Sequence, residues 1–140
     1  MTIREATAGD AAALVLLFAE LGYPTGSEQL EQRLVRLASD ATYCSWVHET
    51  GSAVVGFAAA HLLYPVEDDI PVAQLIALVS LPEARSHGVG TALVTHFESW
   101  AHRKGARRLI ISSGLHRSAT HQFYERRGYA NTGLRFSKTI

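Results

Sequence analysis

Six residues in the middle of the chain carry the clearest chemical pattern. In "LPEARSHGVGTALV", Leu81 to Val94, an arginine stands three residues before the first of two glycines: Arg85-x-x-Gly88-x-Gly90. The stretch follows an apolar run and leads into residues with helical spacing. At a helix start the backbone N–H groups lack partners and the helix dipole adds partial positive charge. Glycines at 88 and 90 let an anion approach that backbone with no Cβ in the way. Arg85 adds a charge-assisted bond from the rim. A diphosphate suits such a cradle. A tight strand-to-helix turn without a ligand is the alternative that spacing leaves open. The dinucleotide fingerprint is incomplete, since Thr91, Ala92 and Leu93 follow Gly90 where a third glycine is required, and no lysine supplies an ATP-type phosphate loop.

The elements that must position this stretch can be read along the chain. "TIREAT" alternates as a short strand. After Gly9-Asp10, residues Leu14, Leu17, Phe18 and Leu21 recur at helical spacing, and Gly22 ends the helix. Ser27 is placed to cap a second helix striped by Leu30, Leu34 and Leu37. "TYCSWVHE" and "AVVGFAAAHLLY" flank Thr50-Gly51-Ser52 as a hairpin. "VAQLIALVSL" reads as a central strand, and Val89, Leu93, Phe97 and Trp100 stripe the helix after the cradle. "RRLIISS" is a further strand, "SATHQFYERRG" a short helix closed by Gly128, and "RFSKTI" a last strand. The order β-α-α-β-β-β-α-β-α-β predicts one mixed α/β domain over residues 1–140, with helices on both faces of a sheet.

Composition narrows the function classes. The chain has 140 residues, 47% of them hydrophobic, and its 13 Lys+Arg balance 13 Asp+Glu. No basic stripe points to nucleic acid, and no apolar run reaches the roughly 20 residues of a membrane span. The single cysteine, Cys44, reads as a small strand residue and supports neither a disulfide framework nor a cysteine-based zinc site. No secretory leader is seen at the N-terminus, so cytoplasmic location is expected. His116 and His121 are poorly spaced for a metal on one helix face, and no metal is expected.

Two motifs together carry a family resemblance. "LPEARSHGVGTALV" resembles the acyl-CoA-binding motif of the GNAT superfamily of N-acetyltransferases, R/Q-x-x-G-x-G/A after a strand ending V-x-P, here Val79-Ser80-Leu81-Pro82. "ATHQFYERRGY", Ala119 to Tyr129, resembles the segment A-x-x-F-Y-E-x-x-G-F/Y of the same family, one helix and one strand downstream. His116-Arg117, His121-x-Phe123-Tyr124 and "RFSKTI" are also similar to the subgroup that includes aminoalkylphosphonate acetyltransferases.

The resemblance implies a mostly antiparallel sheet that splays between its fourth and fifth strands, with acetyl-CoA in the cleft. It places the pantetheine arm beside Leu78, Val79 and Ser80 like an added strand. The pyrophosphate would rest on the amides of Ser86, His87, Gly88, Val89, Gly90 and Thr91, with Arg85, Arg117 and Thr120 as further contacts. Ser86 and His87 depart from the family's usual glycine and basic residue. Tyr124 matches the family's general acid for the departing thiolate, and a backbone N–H near Val79 would polarise the thioester carbonyl. The implied reaction is direct attack of a primary amine, from a small molecule or polypeptide, on acetyl-CoA. The family often dimerises through its C-terminal strands, so a homodimer is implied.

The base for that amine is not given by the family pattern. Many members carry glutamate on the fourth strand about where Ile76 stands, and "AQLIALVS" has no carboxylate. The candidates are Glu67, Asp68 and Asp69 in the preceding loop, His61 on the third strand, and His121, which i, i+3 spacing sets beside Tyr124. A water relay to bulk is the other route. The acceptor pocket is expected from "LGYPTGSE", with Tyr23 as a wall, and from Glu67 and Asp68. A CoA-binding sensor without catalysis is the reading from another class.

Overall fold

The computed structural model describes residues 2–112 and 118–140. Its strands and helices run β1 (Thr2–Glu5), α1 (Ala11–Leu21), α2 (Ser27–Ala38), β2 (Tyr43–Thr50), β3 (Ala53–Leu63), β4 (Val72–Ser80), α3 (Val89–Arg103), β5 (Arg108–Ile111) and α4 (Ser118–Arg126). Short 3₁₀ turns, Ala8–Asp10 and Pro82–His87, precede α1 and α3. The chain forms two compact units, one reaching Ile110 and one from Ile111 to Ile140.

The larger unit is built on a sheet of order β1-β2-β3-β4-β5, antiparallel from β1 through β4. Side chains alternate between its faces. Val47, Phe57, Ala59 and Val79 share one face and meet Leu14 and Leu17 of α1 and Leu30 and Leu34 of α2 in a buried cluster. The opposite face is covered by α3, whose stripe of Val89, Leu93, Phe97 and Trp100 is buried. Trp46 of β2 meets His96 and Trp100 edge-on, with ring centroids 5.4 and 5.6 Å away. β5 borders β4 in the strand order, yet it touches β4 far less than β3 does.

Two ends are secured by specific chemistry. Gly22 closes α1 at φ 102°, a left-handed conformation that favours glycine. At the start of α1, Asp10 is only 7% exposed. Its carboxylate accepts two hydrogen bonds from Arg4, at 2.9 and 2.7 Å, and one from the Thr7 amide at 2.7 Å. Arg4 also bonds Glu49, so one guanidinium ties β1 to both β2 and the start of α1.

Two local readings differ from the structure. Gly26, not Ser27, is the cap of α2; Ser27 already belongs to the helix. "RFSKTI" forms no strand: residues 129–140 lie outside any regular element, with Leu134, Phe136 and Ile140 exposed. Alternation gives a segment two faces, but a strand also needs a neighbouring backbone to bond.

Candidate functional site

The predicted cradle has a defined backbone. β4 ends at Ser80, the 3₁₀ turn Pro82–His87 follows, and Gly88 then takes φ 76°, ψ 16°. That left-handed residue redirects the chain into α3, and a Cβ there would be strained. The Ala92 amide bonds the Gly88 carbonyl at 3.0 Å. The amides of Val89, Gly90 and Thr91 therefore have no acceptor within the helix. Among the described residues no side-chain cap satisfies this helix start. These three donors at the positive end of a four-turn helix form an anion-binding arrangement. Ser86 and His87 are exposed beside it, with Ser86 Oγ 3.5 Å from His87 Nδ1.

What presses this helix start against the sheet is Gly56, a residue the sequence patterns do not single out. Gly56 on β3 pairs with His48 on β2 and with Ser80 on β4. An added Cβ would fall 2.6 Å from Val89 Cγ1 and 3.0 Å from Leu93 Cδ1. A glycine inside an otherwise β-prone run is the available signal, since it marks a close approach of another element.

Arg85 has a protein partner. Its guanidinium bonds the Glu20 carboxylate near the end of α1, and both side chains remain partly exposed. The arginine of the motif is thus held at the cradle's rim by a carboxylate that competes with any bound anion.

β4 supplies the rest of the site in the larger unit. Leu78, Val79 and Ser80 pair with Ala58, Phe57 and Gly56. Their β3 side is taken, so an added strand can bond only along the opposite edge. Farther back the register shifts: Ala59 pairs with Ala77, but Ala60 pairs with Leu75. Ile76 is the extra residue of a β-bulge, which bends the strand and breaks its ladder. The apolar side chain at this bulge is 44% exposed. His61 pairs with Gln74, two residues away, and stacks on Tyr43 with centroids 4.3 Å apart.

The remaining predicted residues separate. Tyr23 is exposed in the loop after α1, and Glu67, Asp68 and Asp69 are exposed between β3 and β4. A cavity of about 230 Å³ instead lies where α2 faces the first three strands, lined in part by Glu5, Leu34, Tyr43, Cys44, Ser45 and Ala59. Cys44 donates to Glu5 at 3.2 Å. Burial first, then this carboxylate, pushes the thiol up to about 12, so it is no nucleophile. Among the described residues no group of three or more His, Cys, Asp or Glu can hold a metal.

The smaller unit carries the second motif. His121 and Tyr124 lie on α4, both half-buried, and Thr120 is one residue earlier. The Tyr124 ring meets Phe123 and Tyr129 edge-on at 5.3 and 6.0 Å. The Tyr124 carbonyl accepts from the amides of Arg127 and Tyr129 as Gly128 turns at φ 92°. Arg117 and His116 lie outside the described residues.

The model of the acetyltransferase (GNAT) family matches residues 12–129. The chain belongs to this family. An aminoalkylphosphonate N-acetyltransferase of Salmonella typhimurium is 30% identical over 87 residues, covering 62% of this chain and 56% of that protein. The match therefore spans little more than half of that relative. A transcriptional regulator from Bacillus halodurans has the same fold, with TM-score 0.91, 22% identity and 99% of each chain covered. An aminoglycoside N-acetyltransferase solved with CoA superposes with TM-score 0.87 at 18% identity, over 99% of this chain and 93% of that one. Among the described residues, no helix of this GNAT protein is long and apolar enough to cross a membrane.

Proposed function

We propose that this GNAT protein transfers the acetyl group of acetyl-CoA to a primary amine of a small molecule by direct attack in a ternary complex. The observation that carries this reading is the cradle at the end of β4. Left-handed Gly88 leads into a helix start whose first amides have no acceptor within the helix, a fit to a pyrophosphate. Ser86, His87, Gly88, Val89, Gly90 and Thr91 hold that group, with Arg85 exchanging Glu20 for it. Thr120 and Arg117 are further contacts. The pantetheine arm runs along the edge of Leu78, Val79 and Ser80 that faces away from β3.

Tyr124 donates a proton to the leaving thiolate. A phenol of pKa about 10 gives its proton only slightly uphill to a thiolate whose acid has pKa about 8.5. The aminoalkylphosphonate and aminoglycoside acetyltransferases among its relatives support a small amine as acceptor. The exposed apolar residues Leu134 and Phe136 of the C-terminal segment support a homodimer.

The test is free-thiol release from acetyl-CoA against aminoalkylphosphonates, aminoglycosides and simple alkylamines. Turnover is expected, and Tyr124→Phe should lower kcat by about 100-fold. A Tyr124→Phe rate equal to wild type would remove that residue's role. The apolar Ile76 at the bulge favours a second reading, a CoA-binding sensor. Acetyl-CoA binding without turnover on any amine would select it.

A further inference from the structure

Acetyl transfer to an amine requires that an ammonium first lose a proton, since a protonated nitrogen has no lone pair to attack with. Resting on the transferase reading above, we infer that His61 is the general base of this protein, taking that proton across one water on the open face of the sheet beside Ile76.

The position of the reacting carbon follows from the cradle and the strand. With the pyrophosphate held by the amides of Val89 to Thr91, an arm extended along β4 passes Ser80 and runs back toward Ile76. That is four strand residues, about 13 Å at the usual rise. The length of an extended pantetheine arm is of that order. The arm's end therefore comes to the bulge.

Only one face of the sheet admits an acceptor there. On the α3 side, Leu62, Ala60, Ala73 and Leu75 are all buried. On the other side, Ala59 is buried under α1 and α2 with Ala77 packed against the same cluster, whereas Ile76 is 44% exposed. His61 lies two residues beyond Ala59 and shares its face, as does its partner Gln74. Alternation from Gln74 puts Ile76 on this face too, next to Ala77, as a bulge requires. His61 and Ile76 are diagonal neighbours across the β3–β4 pair, roughly 7–8 Å apart. One water spans that gap to an amine seated over Ile76.

The imidazole is held for this task. Its ring stacks on Tyr43 of β2 at an interplanar angle of 27°. Gln74 is the uncharged residue opposite on β4. Asp40, in the loop before β2, is a carboxylate close enough to interact with His61 through charge. That carboxylate is fixed by the Thr42 hydroxyl at 2.7 Å and the Thr42 amide at 2.9 Å. Thr42 in turn accepts from the Leu62 amide at 2.8 Å, tying the loop to the end of β3. The Asp40 carboxyl is held below the usual carboxylate range, by the Thr42 hydroxyl first and by the charge of His61 least. Atoms balance: the first proton passes from ammonium to His61, the amine nitrogen bonds the acetyl carbon, and the carbon–sulfur bond breaks. The second amine proton leaves with the formation of the amide, matched by protonation of the thiolate.

The test compares wild type with His61→Gln and His61→Phe, the second of which keeps a ring against Tyr43. The probes are aminoethylphosphonate and a less basic fluorinated analogue, read as kcat/KM against pH by thiol release. In the wild type the acidic limb should fall at the same pH for both amines. In both variants it should follow each amine's own pKa, with a loss of about 100-fold at neutral pH that shrinks as the amine becomes neutral. Affinity for acetyl-CoA and thermal stability of His61→Phe should stay near wild type, which a merely structural role would not predict. Superposable pH profiles, or an equal loss at every pH, would overturn the inference alone. No turnover by the wild type on either amine, with acetyl-CoA still bound, would overturn the transferase reading and the inference with it.

Discussion

Replacing Gly56 by alanine tests whether sheet packing positions the cradle. The added Cβ would stand 2.6 Å from Val89 Cγ1 and 3.0 Å from Leu93 Cδ1. Carbon contacts prefer about 3.5–4.0 Å, so Val89 or the strand must give by close to 1 Å. Neither neighbour is free to turn away: Val89 and Leu93 are among the largest fully buried side chains, and valine is stiff at χ1. Overpacking of this kind costs about 1–3 kcal/mol. For a domain of this size that is a fall in Tm of roughly 3–12 °C. The cheapest relief lifts the start of α3 off the sheet, and Val89 carries one of the three donors of the cradle. Affinity for CoA should therefore fall together with stability, by about tenfold for each 1.4 kcal/mol of lost contact. Differential scanning fluorimetry and CoA titration calorimetry on Gly56→Ala read the two effects. Adding Val89→Ala removes the methyl that clashes and should recover part of both. An unchanged Tm would refute the packing argument. A lowered Tm with unchanged CoA affinity would refute the link between Gly56 and the cradle.

Glu20→Gln should tighten acetyl-CoA binding by up to about fivefold, because an exposed ion pair is worth at most about 1 kcal/mol and Arg85 would no longer have to leave one; weaker binding on titration would show that Arg85 does not serve the anion. Asp10→Ala should lower stability by about 1.5–3 kcal/mol, since Arg4 and the Thr7 amide lose a charged acceptor. Arg4 holds the Asp10 carboxyl below its ordinary value, so this stability is present above the carboxylate range and is lost as pH falls through it; urea midpoints of wild type and variant should converge at low pH. His48 is 2% exposed, its Nδ1 has no hydrogen-bond partner among the described residues, and burial first, then the charge of the N-terminus, lowers its pKa. The unfolded chain then binds more protons, so stability should drop as pH falls below about 6.5, by up to 1.4 kcal/mol per pH unit. His48→Phe should flatten that slope in thermal melts across mildly acidic pH, and an unaltered slope would assign it elsewhere, with His96 the next group to test.

The cradle was legible in the sequence because its determinants are local. A left-handed Gly88 and a helix start at Val89 depend on a few consecutive residues, as do the stripes that bury Leu14 and Leu17 or Leu93 and Phe97. The missing carboxylate at Ile76 could be noticed in the sequence, but not that Ile76 is a bulge. A bulge is a mismatch between two strands and exists only once β3 and β4 have chosen a register. The same register decided that His61 shares a face with Ile76, while its stacking on Tyr43 needed β2 as well. Gly56 is an unremarkable letter in "AVVGFAAAHLL" until α3, more than thirty residues later, comes to rest on it. The partner of Arg85 comes from α1, far away in the chain. The last strand failed for the converse reason: alternation in "RFSKTI" is local, whereas a strand's hydrogen bonds are not. Sequence alone determined the helices, the first five strands and the glycine turn that opens α3. Tertiary structure decided which side chains meet at the bulge and on the cradle's rim, because those contacts join segments whose only relation is through space.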